Sequence, residues 1–141
     1  MNLEELDVVL GGRSILNPRE YNSLALAHIG DAVFEVLVRL TVLTDGNAPV
    51  NKLHKKARAI VNAKAQAEMY YRIQDLLTEE EADVFRRGRN AKSFTVPKNA
   101  DLMDYRHATG LEALFGYLYL KGEKERVVEL FKLGMAEKLE K

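Results

Sequence analysis

Asp31 and Glu112 are the two residues of this chain best placed by type and context to do chemistry. Each carboxylate interrupts a run that is otherwise almost wholly apolar, "HIGDAVFEVL" and "TGLEALFGYLYL". Burying an ionised carboxylate without a partner is costly, or it raises the pKa until the group neutralises. A basic partner, a hydrogen-bond network or a metal ion removes that cost. Neither stretch offers an obvious cation one turn away: Arg39 falls two turns after Asp31, and Arg106 falls six residues before Glu112. A divalent cation held by both acids would satisfy them together. Hard oxygen ligands suit Mg²⁺ or Mn²⁺, and Mg²⁺ commonly uses only one or two carboxylates.

Glycines accompany both acids, Gly30 beside Asp31 and Gly110 and Gly116 around Glu112. A glycine in a helix interior costs about 1 kcal/mol relative to alanine. It is tolerated where another backbone or a ligand approaches closely. The competing reading has each acid at the edge of its apolar stripe, pointing to solvent. Glu20 and Glu35 read as ordinary surface acids. His28, one turn before Asp31, reads as structural or merely nearby, and His54 and His107 belong to no constellation.

The elements that must position these groups are helical throughout. Asn17-Pro18 predicts a helix start, with the helix running through Arg39 and fading at "TDGNAP". A second helical region begins near Val50 and carries Leu53, Ala57, Ile60 and Val61. Asn62 caps a third, with Ala65, Met69, Ile73 and Leu76 or Leu77 on it. "TEEEADVF" opens a fourth, with Thr78 as cap and acids at the positive end of the dipole; it is expected to fail at Gly88. "RNAKSFTVPKNAD" reads as a loop. A helix from Asp104 to Leu120 stops before Gly122. A last one presents Val127, Val128, Phe131, Met135 and Leu139. No alternating strand appears, so the expected fold is all-α in a single domain, 1–141.

Net charge is zero, with 21 basic and 21 acidic residues, but the charges are segregated. No acid occurs from Gly46 to Ala67, where Lys52, Lys55, Lys56, Arg58 and Lys64 lie; nor from Val84 to Ala100, where Arg86, Arg87, Arg89, Lys92 and Lys98 lie. The second group flanks a loop and is expected to contact phosphates. The Lys52–Arg58 group reads as a solvated helix face. With no cysteine, disulfides and thiolate metal sites are excluded. The N-terminal stretch does not read as a signal peptide, and no apolar run is long enough to span a bilayer. Cytoplasmic location is the expectation.

The two acidic motifs together resemble the ribonuclease III catalytic domain. "LAHIGDAVFE" resembles the signature helix L-E-F-L-G-D-A-V-L-E, and "GLEALFGYLYL" resembles the second motif, D-x-x-E-A-L-x-G-A-x-Y-L. The likeness covers nearly the whole chain. Two departures stand out: Ala27 occupies the position of the first motif's Glu, and Thr109 that of the second motif's Asp. A single domain with "SLALAHIGDAVFE", "RRGRNAKS" and "YRHATGLEALFGYLYL" is similar to the Mini-III ribonucleases, which mature large-subunit ribosomal RNA.

The resemblance implies the all-helical endonuclease fold and a homodimer with the signature helix at or near the two-fold axis. It implies hydrolysis of double-stranded RNA to 5′-phosphate and 3′-hydroxyl ends, with Asp31 and Glu112 as catalytic metal ligands. With two acids rather than four, one firmly held Mg²⁺ per site is expected. Two other readings compete. One is a non-catalytic RNA-binding or ribosome-assembly protein that kept the fold. The other is a helical interaction module whose acids pair with a partner's cations.

Overall fold

A computed structural model describes residues 10–11, 16–92 and 101–135. Six α-helices account for most of them: α1 (Ser23–Leu43), α2 (Val50–Arg58), α3 (Ala63–Ile73), α4 (Glu79–Asn90), α5 (Leu102–Leu120) and α6 (Lys124–Gly134). Short 3-10 turns occupy Pro18–Glu20 and Gln74–Leu76. No strand is present among the described residues. The all-α expectation is met. None of the described helices is long and apolar enough to cross a membrane.

Helix α5 is the axis of the fold. Ten of its residues are buried, including an unbroken run from Ala113 to Leu118. A helix apolar on every side must be enclosed, and α5 packs against α1, α3, α4 and α6. Leu111, Leu114, Phe115 and Leu118 meet Phe34, Val38, Met69, Ile73, Leu130 and Phe131 in one core. Phe34 lies with its ring centroid 5.8 Å from both Phe115 and Phe131.

The helix starts follow side-chain caps. Asn62 Oδ1 accepts the Ala65 amide at 2.9 Å. Thr78 Oγ1 accepts the Glu81 amide at 3.1 Å, and Glu81 Oε1 accepts the Thr78 amide at 2.9 Å, closing a capping box. Gly122 takes φ +86° and ends α5, as expected.

Four boundaries differ from the sequence expectation. Asn17 caps only the 3-10 turn; Tyr21 then extends, and Asn22 caps α1 by accepting the Ala25 amide at 2.8 Å. Helix α2 ends at Arg58, leaving Ile60 and Val61 in the following turn. Helix α5 begins at Leu102, capped by Asp101. Gly88 does not end α4, which runs to Asn90. A Cβ on Gly88 would stand 2.8 Å from the Ala113 Cβ and 3.0 Å from the Gly110 Cα. This glycine lets α4 and α5 touch and is not a stop. Leu139 lies outside the described residues.

One buried acid went unmarked in the sequence. Glu81 is 4% exposed and accepts from Arg126 Nε and Nη2, each at 2.8 Å. Burial alone would raise its carboxyl; the Arg126 guanidinium and the Thr78 amide and hydroxyl outweigh that and hold it below the usual glutamate range. Breaking such a pair from one side leaves a charge stranded. Glu81→Ala should destabilise the fold by about 3 kcal/mol in urea melts. Because the folded-state pKa is depressed, this contribution is complete above the unfolded-state value and is lost as pH falls through the folded one. The parent's acid destabilisation should therefore be shallower in Glu81→Gln.

Candidate active site

The glycines beside the two acids sit where α1 and α5 cross. A Cβ on Gly30 would stand 1.6 Å from the Glu112 carbonyl oxygen, and one on Gly116 would stand 1.9 Å from the Leu26 carbonyl oxygen. The two backbones are therefore in direct contact through reciprocal glycines. No side chain fits at either point, because the obstruction is main chain. The contact fixes the register of α1 on α5 and carries Asp31 to Glu112.

The two carboxyl groups lie within hydrogen-bonding reach of one another. Their surroundings are unequal. Asp31 is exposed on the outer face of α1, while Glu112 is half-buried. Burial, followed by the hydrogen bond to Asp31 and the charge of Asp31, pushes the Glu112 carboxyl up to about 9. At neutral pH the Glu112 carboxyl is therefore kept in its neutral form. The structure thus brings together the residues that the sequence paired, although only Glu112 is withdrawn from water.

This arrangement fits a divalent cation. The donors are hard carboxylate oxygens, one of them desolvated and with no cation among the causes of its shift to offset the burial. No group of three or more His, Cys, Asp or Glu side chains able to hold a metal occurs among the described residues. Ala27 has no donor, and Thr109 Oγ1 donates to the Tyr105 carbonyl at 3.0 Å. Asp31 and Glu112 would hold Mg²⁺ or Mn²⁺ with water and substrate oxygens completing the shell, which is the usual habit of Mg²⁺.

A groove of about 470 Å³ runs between the start of α1 and the outer face of α4. Arg19, Asn22, Leu26, Arg86, Arg87 and Asn90 help to line it. Leu26 is five residues before Asp31 on α1, about 7.5 Å along the helix axis. Arg86 and Arg87 therefore face a groove that opens beside the N-terminal part of α1, and neither Asp31 nor Glu112 lines it. Arg89 also lies on α4 and donates to Asn90 Oδ1 at 3.2 Å. Lys92 is exposed just past the helix. Lys98 lies outside the described residues, as does most of the expected loop around it. Arg19 and Asn22 were missed because only the fold places them opposite α4.

A second groove, about 450 Å³, separates α1 from α2 and is lined by Glu35, Arg39, Asn51, His54 and Arg58. Arg39 Nε donates to Glu35 Oε1 at 3.0 Å. Lys52, Lys55 and Lys56 are solvated, as expected, but Arg58 and His54 turn into this groove, one turn of α1 beyond Asp31. His28 is exposed. His107 is structural: buried, its Nδ1 lies 2.7 Å from the Met103 carbonyl, and its ring is 5.4 Å from that of Tyr70.

An all-helical domain with two carboxyls joined over a glycine-seamed helix crossing defines a class that the comparisons identify. The ribonuclease III domain matches residues 24–123. Mini-ribonuclease 3 of Thermoanaerobacter sp. (strain X514) is 54% identical over 79% of each chain. Mini-ribonuclease 3 of Brevibacillus brevis is 48% identical over 85% of this chain and 90% of its own. A crystal structure of a Fusobacterium nucleatum protein superposes with a TM-score of 0.80 at 33% identity, covering 89% of this chain and 97% of that one. The chain belongs to the ribonuclease III family, within the group of the Mini-ribonuclease 3 relatives.

Proposed function

We propose that this chain is a divalent-metal-dependent endoribonuclease that hydrolyses phosphodiesters in double-stranded RNA. Its substrate class in this reading is precursor large-subunit (23S) ribosomal RNA, cut by a homodimer in the cytoplasm. Family membership supports the nuclease reading. The observation that carries the site is the pairing of Asp31 with half-buried Glu112.

Asp31 and Glu112 would hold Mg²⁺, or Mn²⁺ in its place. When bound, the ion lowers the pKa of a coordinated water and offsets charge on the scissile phosphate. To serve as a ligand Glu112 would have to lose the proton that burial favours, since a metal ligand must be ionised. Water adds to phosphorus, the bond to the 3′-oxygen breaks, and the proton lost by the water ends on that oxygen, leaving 5′-phosphate and 3′-hydroxyl ends. Arg86, Arg87, Arg89, Lys92 and Lys98 grip flanking phosphates, and A-form RNA is recognised through backbone and shape.

The homodimer reading draws support from α1. Val36, Leu40 and Leu43 are 57%, 56% and 53% exposed and follow one another at one-turn spacing. They form an apolar stripe on the helix that carries Asp31. A two-fold partner there would double the basic grooves along one duplex.

The test is incubation with duplex and single-stranded RNA of one sequence, with Mg²⁺ or with EDTA, followed by mapping of cleaved ends in total RNA. Duplex-specific, Mg²⁺-dependent cutting with 5′-phosphate ends in 23S precursor is expected. Duplex binding without cleavage would favour the RNA-binding reading, which gains weight from Ala27 and from the Thr109 hydroxyl being engaged with Tyr105.

A further inference from the structure

Helix α4 carries an acid in the middle of the groove assigned to RNA. Asp83 precedes Arg86 and Arg87 by one turn and pairs with both. Its Oδ1 meets Arg86 Nη2, and its Oδ2 lies 3.2 Å from Arg87 Nε. All three side chains line the same groove. Both carboxylate oxygens are thus occupied by the two guanidiniums on offer to a phosphate. The pairs are open to exchange, because the arginine side chains are 57% and 66% exposed. Exposed pairs of this kind hold weakly.

We propose that Asp83 is a built-in competitor for the phosphates of the RNA, an inference that rests on the duplex-RNA reading above. A phosphate entering the groove takes Arg86 and Arg87 from Asp83. The carboxylate then loses both guanidiniums and is left to water. Binding becomes an exchange of one negative group for another, and the grip on RNA is held below what the arginines alone would give. The alternative is that Asp83 merely aims the two arginines. The geometry favours competition, since Asp83 lines the groove itself. The acid therefore sets the affinity for substrate and product, acting through its neighbours and not on the reacting bond.

The experiment measures duplex binding without divalent ions, across a KCl series, for the parent chain, Asp83→Asn, Asp83→Glu, Arg86→Gln/Arg87→Gln and the triple variant. Asp83→Asn should tighten binding by roughly three- to tenfold and steepen the salt dependence by about one unit of slope. Asp83→Glu should stay within about twofold of the parent, since it restores the anion. Adding Asp83→Asn to the double arginine variant should change affinity by less than about twofold, because no pair is left to release. In turnover, KM should fall with the dissociation constant. Weaker or equal binding by Asp83→Asn overturns the proposal, as does an equal gain without the arginines. Failure of the parent to bind duplex RNA at low salt would overturn the RNA reading itself, and this inference with it. Thermal melts of each variant separate these results from misfolding.

Discussion

Asp31→Asn should lower the rate of duplex RNA cleavage by about three orders of magnitude, and Glu112→Gln should do nearly the same. Both substitutions keep the size of the side chain and leave the glycine contact between α1 and α5 untouched. Each removes one of the two carboxyl groups that converge there. A bound metal is worth several kcal/mol of transition-state stabilisation, and ~4 kcal/mol corresponds to about a thousandfold. The effects should not add. Two ligands of one ion act as a unit, so the double variant should be little worse than either single one. Single-turnover rates on one duplex, with circular dichroism melts to show that the variants fold, check this. Glu112→Gln should melt no lower than the parent without divalent ions, because it removes a carboxyl that burial already disfavours in its charged form. A variant that cleaves at the parent rate would remove its residue from the mechanism.

Gly30→Ala and Gly116→Ala should be the most damaging changes outside the carboxylates. The added methyl meets a carbonyl oxygen at 1.6 Å in the first case and 1.9 Å in the second. A flexible side chain could move aside, but here the opposing atom belongs to a helix backbone. The helices must separate by an ångström or more, or the crossing must be abandoned. Alanine is the better helix former by about 1 kcal/mol, so local propensity argues for stabilisation. The steric term should win, with a loss exceeding about 4 kcal/mol, beyond the range of most point substitutions. Chemical denaturation measures it. If either variant folds, its Mg²⁺-dependent cleavage should still be impaired, because separating the backbones draws Asp31 away from Glu112. Stability close to the parent's would show that the crossing yields more readily than close-packed interiors do.

The core of this account was legible in the sequence because it rested on conflicts. A carboxylate in an apolar run and a glycine in a helix interior each break a local rule, and a tertiary cause explains both. Asn62, Thr78 and Gly122 were legible for the opposite reason, since capping and positive φ are decided within a few residues. Where local signals were degenerate, the reading slipped. Asn17 and Asn22 are both good caps, and Pro18 suits the first turn of a 3-10 segment as well as that of an α-helix. Gly88 looked like a stop because the surfaces it packs on, Gly110 and Ala113, lie more than twenty positions away. The Glu81–Arg126 pair, 45 residues apart, and the placing of Arg19 and Asn22 opposite α4 carry no local signal at all.

Titration of Mn²⁺ into the protein, followed by the loss of the free-ion electron paramagnetic resonance signal, addresses the convergence of Asp31 and Glu112 most directly. Asp31→Asn and Glu112→Gln are measured alongside, without RNA. One ion taken up per chain by the parent, displaced by Mg²⁺ and absent in both variants, is the expected result. Equal uptake by all three proteins, or none by the parent, would contradict a metal held between these two carboxylates.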